Sequence, residues 1–199
     1  MTQLPDVVIT GVGVVSPIGI GKEAFQQSLH SGRSGVGPIT RFDSSQLPVA
    51  IGAEVKEFEA KRYVKPRKSL KVMGREIQTA FAASSLAMTD AGLDKDTIEP
   101  DRSGVVFGTE TMCSEYYDVE DVFRSCMVDG KFSFEHWGEK AMLQIYPLWM
   151  LKYLPIMPAC HVAIAYDARG PNNSIALGEA SSLLAVIEGV EIIRRGSAD

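Results

Sequence analysis

The chain has 199 residues, 45% hydrophobic and 23% charged. That composition excludes a collagen-like or wholly disordered chain and suits one domain, or two small ones, with a core of its own. The net charge of −5 gives the chain as a whole no nucleic-acid signature, and no apolar run approaches the roughly 18 residues of a membrane span.

The first residues, Met1 to Asp6, lack the basic and long apolar stretches of a secretion signal. Cys113, Cys126 and Cys160 are too scattered for a disulfide framework. The histidines His30, His136 and His161 stand far apart and no Cys-x-x-Cys pair occurs, which argues against zinc. The expectation is a reduced, cytoplasmic, soluble protein.

Val7 to Thr10 is a short β-branched run ending at Gly11, the pattern of a buried strand and turn. Glu23 to Leu29 has a helical face in Phe25 and Leu29, broken by Ser31 to Gly35. Residues 36–60 read as loop with short strands, one between Ala50 and Val55. Leu70, Met73, Ile77, Phe81 and Met88 recur at helical steps and predict one helix, with Gly92 as its stop. Just ahead of it, residues 61–71 carry six positive charges and no acid.

Gly104 to Gly108 predicts a second buried strand with a glycine exit. Residues 113–157 hold nine of the sixteen aromatics. Such a segment could cover a cavity or a subunit contact, but composition favours a satellite core under a long excursion. Ser174 to Leu177 reads as a strand, Gly178 to Ser182 as a sharp small-residue junction. Leu183, Leu184, Val186, Ile187, Val190, Ile192 and Ile193 then predict a helix apolar on most of its circumference, buried against a sheet and a further subunit. Arg194 and Arg195 in its last turn and Gly196 after it fit the dipole and stop rules. The alternation of strand and helix argues an α/β layer fold with a mostly parallel sheet and helices on both faces.

Three apparent motifs fail on inspection. Gly11-x-Gly13-x-x-Ser16 lacks the third glycine of a dinucleotide fingerprint, and Pro17 intrudes. Around Gly21-Lys22 a P-loop would need glycine at Ser16 and Ser or Thr at Glu23. Cys160 and His161 are adjacent, so their side chains point apart, which argues for a packed thiol rather than a catalytic pair. What remains is a strand, a tight junction and a buried helix, the layout of a nucleophile elbow with Glu179 at its tip.

In order and spacing the chain resembles the β-ketoacyl-acyl-carrier-protein synthase family of the thiolase fold. The resemblance rests on Val7 to Gly19, Leu29 to Val36, Arg41-Phe42-Asp43, Ala80 to Gly92, Gly170-Pro171-Asn172 and Arg195 to Asp199. It implies a thiolase-like layered α/β fold, with residues 1–199 as the N-terminal half, ending before that half's last strand and without the C-terminal half. The family's cysteine nucleophile would fall at the tenth position counted from Gly170, where this chain has Glu179. The two catalytic histidines and the lysine of the family would lie beyond Asp199. The expectation is that these 199 residues alone do not form a stable monomer, because the Leu183–Ile193 helix loses its cover.

The family's chemistry is acyl transfer to the elbow thiol, with acyl groups delivered on the phosphopantetheine of a carrier protein and no other cofactor. A carboxylate cannot form that thioester. Family members with Gln at this position serve as chain-length-setting partners of an active subunit or as malonyl decarboxylases. Two readings follow. One is a non-condensing acyl-binding or chain-length-factor-like subunit of fatty acid or polyketide biosynthesis. The other is a carrier-dependent acyltransferase or decarboxylase whose histidines lie beyond Asp199. A plain structural acid at a helix start is the third possibility for Glu179. By the same resemblance, Thr111 and Met112 belong to the acyl pocket or interface. Arg67, Lys68 and Lys71 would dock an acidic acyl carrier protein. The other expected partner is a second copy, or a ketosynthase paralogue as heterodimer; nucleic acid and membrane are not expected.

Overall fold

A computed structural model of the chain describes residues 6–110, 112 and 114–199. In chain order, β1 (Val15–Ser16) and β2 (Gly19–Ile20) form a tight antiparallel turn ahead of α1 (Lys22–His30). Next, β3 (Val36–Pro38) pairs antiparallel with β4 (Ile51–Ala53), followed by α2 (Arg75–Asp90) and β5 (Val105–Thr109). An excursion then carries α3 (Tyr116–Ser125), the hairpin β6 (Met127–Val128) and β7 (Lys131–Phe132), and the short α4 (Met142–Gln144). The chain returns through α5 (Met157–Tyr166), β8 (Asn172–Ala176) and α6 (Ser181–Arg194).

The centre is the parallel pair β5–β8, in register from Val105 opposite Asn172 to Thr109 opposite Ala176. Strand alternation sends the side chains of β5 to two faces. Val105 and Phe107 pack on a core of Val64, Met73, Ile77, Phe81 and Val162, contributed by α2, α5 and the turns before them. Val106 and Gly108 face α6 beside Ala185, Val186 and Gly189. The architecture is therefore mixed α/β with helices on both faces of a parallel pair. The expected mostly parallel sheet is narrower than the sequence suggested: among the described residues it has two strands, and the other ladders are antiparallel.

Three other expectations need correction. Val7 to Thr10 joins no ladder among the described residues, and Val8 and Ile9 are exposed. Its continuation lies on α2 instead. A Cβ at Gly13 would stand 1.8 Å from the Ala83 carbonyl oxygen, and one at Gly11 would stand 2.3 Å from that of Ala87. The Val12 N–H donates to Asp90 Oδ2 at 2.9 Å, and Lys22 pairs with the same carboxylate. The missing side chains let backbone rest on backbone, and a charge closes the contact.

The helix expected from Leu70 to Met88 begins only at Arg75. Arg67–Val72 forms 3-10 turns, then Met73 and Gly74 are extended. Gly74 sits against the Lys152 carbonyl oxygen, 2.7 Å from where a Cβ would be. That contact holds the backbone out of helix between two apolar positions whose spacing looked continuous. The helix α6 also buries less than its composition implied. Ala185 and Ile192 are buried, while Leu183, Val186 and Ile187 are exposed.

The excursion builds its own small core, as its composition suggested: Val122, Cys126 and Ala141, with Trp137 and Ile145 against them. Phe123 meets Trp137 edge-on at 5.6 Å between ring centroids. Its two ends are tied to each other by polar contacts. Lys152 Nζ donates to Asp118 Oδ2 at 2.7 Å, the Tyr153 hydroxyl donates to the same oxygen, and the Glu115 N–H donates to the Tyr153 oxygen at 3.1 Å. Burial opposes ionisation of Asp118, but the hydrogen bonds from Lys152 and Tyr153 outweigh it and hold the carboxyl below its usual range. Burial, then the bond to Asp118, pushes the Tyr153 phenol up.

His161 on α5 has a buried Nε2 with no hydrogen-bond partner. Burial lowers its pKa below 6.5, against a backbone hydrogen bond at Val72 that works the other way. The folded state thus binds fewer protons than the unfolded chain below neutrality, and stability is present above that value and falls as pH drops through it. Urea melts should show unfolding free energy declining between about pH 7 and pH 5. His161→Gln should flatten that part of the profile; a profile unchanged by the substitution would assign the pH dependence to another group.

Candidate functional site: the turn between β8 and α6

The junction predicted from small residues is a 3-10 turn, Gly178–Ala180, set between the end of β8 and the start of α6. Gly178 has φ +52°, a left-handed conformation that glycine adopts at little cost. Ser181 fixes the turn from inside. Its hydroxyl accepts the Leu177 N–H at 2.8 Å and donates to the Gly178 carbonyl at 2.6 Å, and the residue is 2% exposed. Between these two anchors Glu179 stands at the tip with an exposed side chain.

The same junction is pressed onto β5. A Cβ at Gly108 would lie 2.4 Å from the Ser182 nitrogen and 2.5 Å from the Ser181 carbonyl carbon. The first turn of α6 therefore crosses the strand in backbone contact. Farther along, a groove of about 500 Å3 opens between α6 and β5, lined by Val106, Ala185, Val186, Gly189 and Ile193 among others. Leu183, Val186 and Ile187 of the same helix are exposed.

The remaining residues of the sequence reading are spread over the molecule. Cys126 is fully buried in the satellite core and Cys160 is half-buried on α5, so neither stands at the turn. Cys113 and Thr111 lie outside the described residues. Met112 packs against the main core cluster. Arg67, Lys68 and Lys71 are exposed on the 3-10 turns before α2, and among the described residues none has an ion-pair partner. Sequence reasoning missed two residues that build the turn, Ser181 and Gly108. The signal for Ser181 was its place three positions after Gly178; for Gly108, the glycine exit of the strand that faces α6.

Residues 5–199 match the family described as "Beta-ketoacyl synthase, N-terminal domain". The chain belongs to this family. It is 31% identical over 192 residues to the 3-oxoacyl-[acyl-carrier-protein] synthase 2 of Synechocystis sp., covering 96% of this chain and 43% of that one. It is 32% identical over 193 residues to the 3-oxoacyl-[acyl-carrier-protein] synthase 2 of Coxiella burnetii, covering 97% and 43%. Among solved structures it resembles the ishigamide ketosynthase/chain length factor, with a TM-score of 0.77 and 28% identity over 96% of this chain and 45% of that one. The β-ketoacyl synthase domain seen here thus spans less than half the length of these relatives. No helix among its described residues is long and apolar enough to cross a membrane.

The crossing at Gly108 yields a direct test of how the ketosynthase turn is built. Gly108→Ala would drive a methyl into the Ser181–Ser182 backbone and should destabilise the fold by about 1–3 kcal/mol, the range for overpacking a tight site. A chemical melt that left stability unchanged would show that α6 can lift from β5 without loss.

Proposed function

We propose that this domain belongs to a non-condensing ketosynthase-like protein of fatty acid or polyketide synthesis, acting as an acyl-binding, chain-length-factor-like subunit. The observation that carries the proposal is Glu179, exposed at the tip of the turn between β8 and α6, while neither described cysteine is near it. On this reading the turn is the family's nucleophile elbow and Glu179 stands in place of its cysteine. A carboxylate there cannot hold an acyl group as a thioester, and a glutamyl anhydride would hydrolyse or transfer back. Similarity to a protein named as a ketosynthase/chain length factor supports the same reading. By the family resemblance, Thr111 and Met112 are its acyl-pocket or interface residues.

The partners follow from the same argument. The Synechocystis relative is named for an acyl carrier protein, and carriers of this kind are acidic. Arg67, Lys68 and Lys71 offer three exposed charges without ion-pair partners among the described residues, suited to steering and rim contact. A second copy or a cysteine-bearing paralogue completes the assembly.

Two measurements test this. Incubated with an acyl-carrier thioester, the native protein should carry no stable acyl adduct at residue 179 by intact mass and peptide mapping. Glu179→Cys should acylate itself: the thiolate attacks the thioester carbonyl, the carrier's thiol leaves, and the junction at α6 lowers the thiol pKa. An adduct on a native cysteine that turned over with a malonyl donor would make the protein a condensing enzyme and end the proposal. Separately, charge reversal at Arg67, Lys68 and Lys71 together should weaken carrier binding at low salt and matter less at high salt. Unchanged binding at low salt would remove the docking assignment.

A further inference from the structure

A pocket of about 390 Å3 lies between the loop after β3, the segment after β4 and the start of α2, lined by Arg41, Glu54, Lys56, Glu57, Phe58 and Arg75 among others. Its acids and its bases are in different states. Glu54 is fully engaged: Oε1 accepts the Thr40 and Arg41 N–H groups at 2.9 and 3.0 Å, and Oε2 accepts the Thr40 hydroxyl at 2.6 Å. Glu59, also in the lining, holds Arg62 at 2.8 Å. Glu57 is the remaining carboxylate.

The bases are not engaged in this way. Arg75 lies over the Phe58 ring at 5.4 Å and gives one Nη2–H to the Val55 carbonyl at 3.0 Å. A guanidinium has five N–H donors, so most of the fork stays available. Among the described residues, Arg41, Lys56 and Arg75 form no ion pair. Burial, and then the like charge of Arg41, lower the Arg75 pKa against the opposing charges of Glu115 and Glu76, which raise it. Two guanidiniums in the lining of one pocket, one of them over an aromatic ring, offer charge-assisted donors to a group with two oxygens in one plane.

We infer that this pocket binds an oxyanion, a carboxylate or a phosphate monoester, between the guanidinium groups of Arg41 and Arg75. The site is separate from the β8–α6 turn and does not depend on how that turn functions. Lys56 adds charge to the lining, and the Phe58 ring lies against Arg75.

The test titrates the purified native protein with inorganic phosphate and, in a second arm, with glutarate, against chloride at matched ionic strength. Binding is read by calorimetry and by the arginine Nε–H resonances. The expected result is saturable binding of one or both oxyanions, absent with chloride, that shifts the Arg75 resonance; the preferred arm identifies the source of the oxyanion. Arg75→Lys keeps the charge and loses the fork, and should weaken binding at least fivefold. Arg41→Gln, at an exposed position, should do the same without disturbing the fold. Lys95→Gln, a charge outside the pocket, should leave binding unchanged. A non-saturating response equal to that of chloride would overturn the assignment, as would native affinity in both arginine variants.

Discussion

The structure depends on one close approach, the first turn of α6 lying directly on β5 at Gly108. A strand and a helix normally meet through interposed side chains. Here glycine removes the side chain, and backbone meets backbone. That contact sets the height of α6 over the sheet and the sharpness of the turn leaving β8. It also explains why Ser181 is buried and turned inward while Glu179, two residues earlier, points away. The chemistry available at the turn is thus decided by which residue occupies its outer tip.

Much of this was legible in the sequence. The apolar run between Gly104 and Gly108 and the short stretch Ser174 to Leu177 marked the two central strands, and the junction of small residues marked the turn into α6. The run of aromatics from residue 113 announced a separate cluster. The remainder was decided by tertiary contact. Apolar spacing from Leu70 to Met88 is continuous, yet a carbonyl packed on Gly74 breaks the helix in two. Val7 to Thr10 has strand composition but pairs with no strand among the described residues, so its preference is not expressed as a ladder. Composition could not tell which face of α6 would be covered, because every face carries large apolar residues.

Lys152 joins two parts of the molecule that the sequence keeps far apart. Its carbonyl rests on Gly74 at the head of α2, and its ammonium holds Asp118 on α3. Main chain and side chain of one residue therefore fasten the excursion to the main core, near the turns that carry Arg67, Lys68 and Lys71. Placement of the excursion and presentation of those exposed cations are mechanically linked, although no side chain of the satellite core touches them in any contact described above. Charge elsewhere is used similarly: Arg102 clasps Asp199 and the Gly196 carbonyl, returning the end of α6 to the start of β5.

The register of the central pair has a kinetic consequence. Val105 meets Asn172 across sixty-seven residues of chain, and parallel strands offer no short hairpin by which to start. Closing so long a loop costs only slightly more than closing one half its length, about 0.6 kcal/mol, but the search is slow because no local contact repays it early. The excursion, with its own aromatic cluster, shortens that search if it collapses first and draws α5 toward α2. The centre of the molecule would then be the last part to assemble, and the speed of folding would be governed by residues remote from the strands they bring together.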